Sequence, residues 1–265
     1  MRRINLLFVV RCLAAWLTPL FLCPLLLAQS QARPTRDSAA LAVLNQAIVA
    51  MGASASVASL QSMQIQGHLL RVDSGENDSF TLSYLISNNG VRFRRSSTKP
   101  TGVSTFASGK GTPFLAPPNG KQETFGHHIA AAMLPYEHPS LTILLEIQNP
   151  NYSITMAPSA RKAPIHIHTE DDSTEDSRFT SPQDWYFDSS TYLPIRVEYK
   201  LADVFHPSVT HSTTCRYTSF QTVGGVLVPA GIEVDENNIA VADITLDGFT
   251  FNVPLGDNFD MPGGN

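Results

Sequence analysis

The sequence predicts an α+β fold that is mainly antiparallel β-structure, and three observations predict it. A single amphipathic helix precedes the first strand; short segments with a two-residue apolar period follow at close spacing; and the C-terminal half shows no helical period between its strands. Parallel sheets need helical crossovers between neighbouring strands, so a strand-after-strand order points to antiparallel meanders with one face covered and one wet.

The chain has 265 residues and opens with Met1-Arg2-Arg3, a third cation at Arg11, and an apolar run from Cys12 to Ala28. Small residues at Ala28, Ser30 and Ala32 suit a signal peptidase, so residues 1–32 read as a cleaved secretory signal and 33–265 as one domain. The rival reading is a retained anchor, but Pro19 and Pro24 interrupt a run shorter than the roughly 20 residues of a spanning helix. Losing Arg2, Arg3 and Arg11 takes the net charge from −5 to −8, which suits no nucleic acid partner. It also removes Cys12 and Cys23 and leaves Cys215 without an internal disulfide partner. In "TTCRYTSF" that cysteine reads as a small apolar strand residue.

"RDSAALAVLNQAIVAMG" reads as the helix, with Asp37 or Ser38 at its N-cap and Gly52 at its end. Leu41, Leu44, Ile48 and Met51 follow helical spacing, and Ala40, Val43 and Ala47 widen the stripe. Next, Met63, Ile65 and Leu69 alternate with Gln64, Gln66 and His68, and Phe80, Leu82, Tyr84 and Ile86 alternate likewise. Val91 and Phe93 begin a third strand after the Asn88-Asn89-Gly90 turn. A Gly- and Pro-rich stretch from Thr101 to Lys121 suggests loops around short strands, and "FGHHIAAAMLPYEHPSLTILLEIQ" suggests two short helices broken at Pro135 and Pro139. Strands resume at Tyr152-Ile154-Met156 and at Ile165-Ile167, and "TEDDSTEDS" is a solvated acidic loop that lacks the glycine and glutamate of a calcium loop.

"DWYFDSSTYLPIRVEYK" reads as a hairpin: Trp185 and Phe187 share a face, Asp188-Ser189-Ser190-Thr191 makes the turn, and Leu193, Ile195, Val197, Tyr199 and Leu201 form the apolar face of the return strand. "HSTTCRYTSFQTV", "VLVPAGIEV", "IAVADITL" and "FTFNV" follow, joined at Gly224-Gly225 and Glu236-Asn237-Asn238.

No catalytic constellation stands out. "GASAS" is not a nucleophile elbow, and "SGKGT" has Gly111 where a phosphate loop needs Ser or Thr. Asp184 and Asp188 read as turn-flanking aspartates, with paired acids across a strand the alternative. His166 and His168 share the polar face of one strand, which suits two metal ligands, but no third ligand is recognisable and no metal or cofactor is expected. What the sequence does carry is an apolar sheet face rich in aromatics: Phe80, Tyr84, Phe93, Trp185, Phe187 and Tyr199. Such a face either closes into a filled core or lines a concave site for a hydrophobic ligand.

The D-x-x-T-x-L-P turn from Asp188 to Pro194, the Tyr217-x-x-Phe220 strand end, "GGVLVP" from Gly224 to Pro229 and the closing "FNVPLGDNFDMP" with Asn252, Phe259 and Pro262 resemble the LolA-like superfamily of periplasmic lipoprotein carriers. The resemblance implies a strongly curved sheet forming an incomplete barrel, with helices packed in its concave mouth. It also implies a non-enzymatic, periplasmic protein that holds a lipid or a lipoprotein acyl chain in that concavity; on the apolar pattern above, Ile65, Phe80, Tyr84, Phe93, Leu134, Trp185, Phe187, Ile195 and Tyr199 are the expected ligand-binding residues, the helices around Leu134–Pro139 the expected lid, and a monomer the expected state. The family's buried arginine has four candidates here, Arg92, Arg94, Arg95 and Arg196, of which Arg196 falls on a polar face. Two alternatives stand beside the carrier: an envelope module with a filled core that contacts a protein partner, and a metal-dependent hydrolase using His166 and His168.

Overall fold

The structure, a computed structural model, describes residues 34–52, 60–87, 90–99, 102–108, 114–117, 121, 123–124, 150–158, 164–171, 182–203, 206 and 208–255. The expected signal, the helices between 124 and 148 with Leu134, and most of the acidic loop lie outside these residues.

Helix α1 spans Ser38–Ala50, and thirteen strands follow: β1 Ser62–Arg71, β2 Asn77–Ser87, β3 Gly90–Lys99, β4 Gly102–Ser108, β5 Phe114–Ala116, β6 Glu123–Thr124, β7 Tyr152–Met156, β8 Ile165–Asp171, β9 Gln183–Phe187, β10 Pro194–Ala202, β11 Thr210–Val223, β12 Val226–Glu236 and β13 Ile239–Phe251. They form one antiparallel sheet in the order β6-β5-β4-β3-β2-β1-β13-β12-β11-β10-β9-β8-β7. The first meander runs outward from β1 to β6, and the second runs inward from β7 to β13, which pairs with β1. Among the described residues β6 and β7 are therefore the two ends of an unclosed sheet, consistent with an incomplete barrel.

Of the two N-cap residues the sequence offers, Asp37 takes the role: its Oδ1 accepts from the Ala39 N–H at 2.8 Å. The segment ahead of it lines the β7 edge, with Ile154 N–H donating to Thr35 at 2.7 Å and Asp37 N–H to Ile154 at 2.9 Å. One of the exposed edges is thereby partly covered. α1 buries Ala40, Leu44 and Ala47, with Met51 just beyond, whereas Leu41, Val43 and Ile48 sit at the rim. The stripe is thus centred on alanines, whose small side chains let the helix axis approach closely. Leu227 N–H donates to Met51 O at 2.8 Å and ties the helix end to β12.

The expected hairpins hold. Gly224 and Gly225 have φ of 56° and 83°, and Asn237 and Asn238 have 50° and 64°. Positive φ at both central residues matches the twist of two-residue hairpins, and Gly and Asn tolerate it best. Between these turns the apolar phase changes where the ladders bulge. Along β13, Ala242, Ile244 and Leu246 face the core, and then Phe249 and Phe251 do. The extra residue is Asp247, unmatched between the Gly67–Leu246 and Gln66–Gly248 pairs.

One expectation is corrected here. Ile195 does not join the apolar face of β10, because the β9–β10 register breaks between Pro194 and Arg196. Pro194, which has no N–H for the ladder, stands opposite Phe187 and is buried in Ile195's stead, while Ile195 is left half-exposed in the bulge.

The Asp188 turn forms as expected. Its Oδ1 accepts from Ser190 N–H at 2.9 Å, Thr191 N–H at 2.8 Å, and the hydroxyls of Ser190 and Thr191 at 2.5 Å and 3.1 Å. These bonds, with the Ser190 hydroxyl foremost, lower the carboxyl from 3.8 to about 2. A depressed acid contributes stability that is full above the unfolded value and is lost as pH falls through the folded one, so the window lies between about pH 4 and pH 2. Asp188→Asn is expected to flatten the dependence of Tm on pH within that window only. Superimposable curves for the two proteins contradict this role.

Candidate functional site

The inner face of β8–β11 is built in two registered rows. In the first, Ile167, Trp185, Val197 and Cys215 stand side by side on successive strands. In the second, one step along each strand, stand Thr169, Gln183, Tyr199 and Thr213. Every one of these eight residues is buried. Trp185 Nε1 donates to Gln183 Oε1 at 3.1 Å, and the Tyr199 hydroxyl and Cys215 thiol lie 3.2 Å apart, so the rows are stitched to each other by polar tips. The polar second row was not read from the sequence, because Thr and Gln at strand ends look like solvent-facing residues.

The other half of the inner face is carried by β1–β3. Met63, Ile65 and Leu69 of β1 and Phe80, Leu82 and Tyr84 of β2 are buried in the same core as Trp185, Phe187, Tyr199 and α1. Ile65, Phe80, Tyr84, Trp185, Phe187 and Tyr199 are thus brought into one continuous apolar cluster on the inner face. Phe93 stands opposite Tyr84 in the β2–β3 ladder. Arg95 pairs with Leu82, is 8% exposed, and holds its guanidinium carbon 5.3 Å from the centre of the Phe80 ring. Of Arg94, Arg95 and Arg196, it is the buried one. Its alternation with Arg94 and Ser96 gave no such signal, since an arginine at an apolar position reads as a break in the pattern.

The outer face holds the polar groups. His166 Nε2 and His168 Nδ1 both contact Asp184 Oδ1, at 2.8 Å and 3.0 Å, because His168 and Asp184 are cross-strand partners and His166 lies one pair along. His166 stacks on Tyr186 with ring centres 4.4 Å apart, and Arg196 covers Tyr186 with its Cζ 3.7 Å from the ring centre. Arg196 Nε donates to Glu198 at 2.7 Å, and the Tyr186 hydroxyl donates to the same carboxylate at 3.1 Å. Partial burial is the main cause that raises the Tyr186 phenol, with Arg196 opposing it and Glu198 adding to it. Asp184 engages the histidines and Asp188 its own turn, so the two are not a pair of acids. Among the described residues no three His, Cys, Asp or Glu side chains are grouped as metal ligands would be. Elsewhere on that face Ser79 Oγ lies 3.1 Å from His68 Nδ1, and His68 Nε2 lies 3.1 Å from Asp247. This serine–histidine–aspartate chain is half-exposed and lacks the desolvated surroundings that strengthen such relays.

No protein-family model matches the chain, and neither does any curated protein. Solved structures match its fold. A domain assigned to outer membrane lipoprotein sorting from Vibrio parahaemolyticus superposes with a TM-score of 0.56 at 11% identity, covering 82% of this chain and 94% of that one. A DUF1329 family protein from Desulfovibrio piger gives 0.54 at 13% identity over 83% and 96% of the two chains. A LolA superfamily protein from Nitrosomonas europaea gives 0.52 at 12% identity over 82% and 95%. The fold is LolA-like.

Cys215 is a buried free thiol, and burial pushes it up to about 12, with the Tyr199 hydrogen bond opposing the shift. The protonated thiol is a poor nucleophile, so a chain of residues 33–265, whose one cysteine is Cys215, is expected to show no reaction with a disulfide reagent at neutral pH while folded, and one equivalent after denaturation. Rapid modification of the folded protein contradicts this placement.

Proposed function

We propose that this chain is an exported, periplasmic, non-enzymatic protein that binds a lipid, a lipoprotein acyl chain or a similar hydrophobic ligand on the inner face of its incomplete barrel. The observation that carries the proposal is the continuity of that face. It runs from Phe80 and Tyr84 through Ile65 to Trp185, Phe187 and Tyr199 across a sheet whose edges do not meet. The LolA-like fold, and the lipoprotein-sorting role assigned to one structural neighbour, support the same reading. Affinity comes from removing alkyl chain from water, at about 0.8 kcal/mol per methylene. Arg95, a buried cation beside Phe80, puts positive charge on the β3 flank of that face. The protein acts as a monomer in this reading, and delivery to an envelope partner would follow ligand capture.

Residues 33–265 contain one tryptophan, Trp185, on the proposed binding face. A polyene fatty acid added to that chain is expected to quench Trp185 by energy transfer, to saturate, and to be displaced by an acylated peptide. A folded chain that shows no saturable transfer contradicts the proposal.

A further inference from the structure

The polar row on the inner face contains two hydroxyls that no described residue satisfies. Thr169 is 2% exposed and Thr213 is 1% exposed, and the Oγ1 of each is buried with no hydrogen-bond partner. A buried hydroxyl without a partner is uncommon, because the lost hydration is uncompensated, and a valine of the same shape would avoid the cost. The two threonines are not scattered. They flank Gln183 and Tyr199 in a single register line across β8, β9, β10 and β11. The row beside them is apolar but for the Cys215 thiol and the Trp185 N–H, and Ile154 of β7 pairs with Thr169 at the outer end of the polar row.

We infer that this row is the polar subsite of the ligand site, and that Thr169 and Thr213 hydrogen-bond a neutral oxygen-bearing group of an amphiphile, an ester or amide carbonyl or a hydroxyl, whose alkyl chain lies along the Ile167–Trp185–Val197–Cys215 row. The inference rests on the hydrophobic-ligand reading above and adds the chemistry of the ligand's polar end. A neutral group fits because all four side chains of the row are uncharged and the Cys215 thiol beside them is held protonated, so a carboxylate or phosphate buried here would meet no opposite charge from them. Hydroxyls serve such a group well, since each can donate to a carbonyl or accept from an alcohol.

The test compares two probes of equal chain length, a fluorescent fatty-acid methyl ester and the corresponding labelled alkane, on the processed chain and on the Thr169→Val, Thr213→Val and double variants. The wild type is expected to bind the ester about tenfold more tightly than the alkane, as one to two recovered hydrogen bonds imply. In the double variant the ester's advantage is expected to vanish while alkane binding is unchanged. The ligand-free Tm is expected to rise, because two unsatisfied hydroxyls are gone. Equal ester affinity in wild type and double variant, or a ligand-free Tm that falls, overturns the subsite while leaving the hydrophobic site intact. Failure of the wild type to bind either probe overturns the hydrophobic-ligand reading and this inference with it.

Discussion

The ladder between β1 and β13 is the contact on which the rest of the architecture depends. It joins the first strand of the outward meander to the last strand of the inward one, from Met63–Phe251 to Arg71–Ala242. Without it the chain has two separate sheets, each too small to bury its inner face. Its geometry is tightly set. A Cβ on Gly67 would stand 2.5 Å from Thr245 O and 2.8 Å from Phe80 Cζ, so only glycine lets β13 and Phe80 close on β1 at this point. The bulge at Asp247 beside it allows Leu246 and Phe249, which have opposite parity, to face the same core. Asn252 anchors the end of the seam: its Oδ1 accepts from Gln61 N–H at 2.9 Å, and its N–H donates to Ser62 O at 2.8 Å. Because the seam pairs residues nearly a whole domain apart in sequence, its closure carries a large loop entropy and comes late or slowly in folding.

Once the seam has aligned the two meanders, the inner face becomes a graded surface. Its middle is aliphatic and aromatic, its β3 flank carries a cation at Arg95, and its β8–β11 end carries neutral polar groups. A core whose sole duty is stability has little use for this grading, since unsatisfied hydroxyls cost free energy that valine would not. Under the proposed function an amphiphile would supply the compensation, with its chain on the aromatic middle and its oxygen atoms at the Thr169 and Thr213 hydroxyls. The outer face follows the opposite logic. There His166, Asp184, Tyr186, Arg196 and Glu198 satisfy one another in contact with solvent, and such exposed pairs add little to stability.

Much of this was legible in the sequence for a definite reason. Where one sheet face is buried and the other wet, a two-residue period writes itself into the residues, as at Met63-Ile65 and Phe80-Leu82-Tyr84, and paired Gly or Asn marks the tight hairpins. The Asp188 turn was legible because an aspartate followed by hydroxyl residues has local partners within reach. What failed was anything that depends on registration between strands. Ile195 kept perfect parity with Val197 and Tyr199, and only the pairing with Phe187 shows that Pro194 displaces it. Asp184 was read as a turn residue because its histidine partners lie on the neighbouring strand, across a loop whose length hides the register. The Thr169–Gln183–Tyr199–Thr213 line joins four residues from four strands, and no window of sequence contains it.

The central claim is that the inner face is a binding surface and not solely a core. It is tested most directly by native mass spectrometry of the protein purified from its native source without detergent, followed by solvent extraction of what it holds. The account predicts a chain carrying one hydrophobic molecule with an alkyl tail and neutral oxygen groups, released on denaturation. A homogeneous, ligand-free chain that also stays empty when incubated with envelope lipids would contradict it.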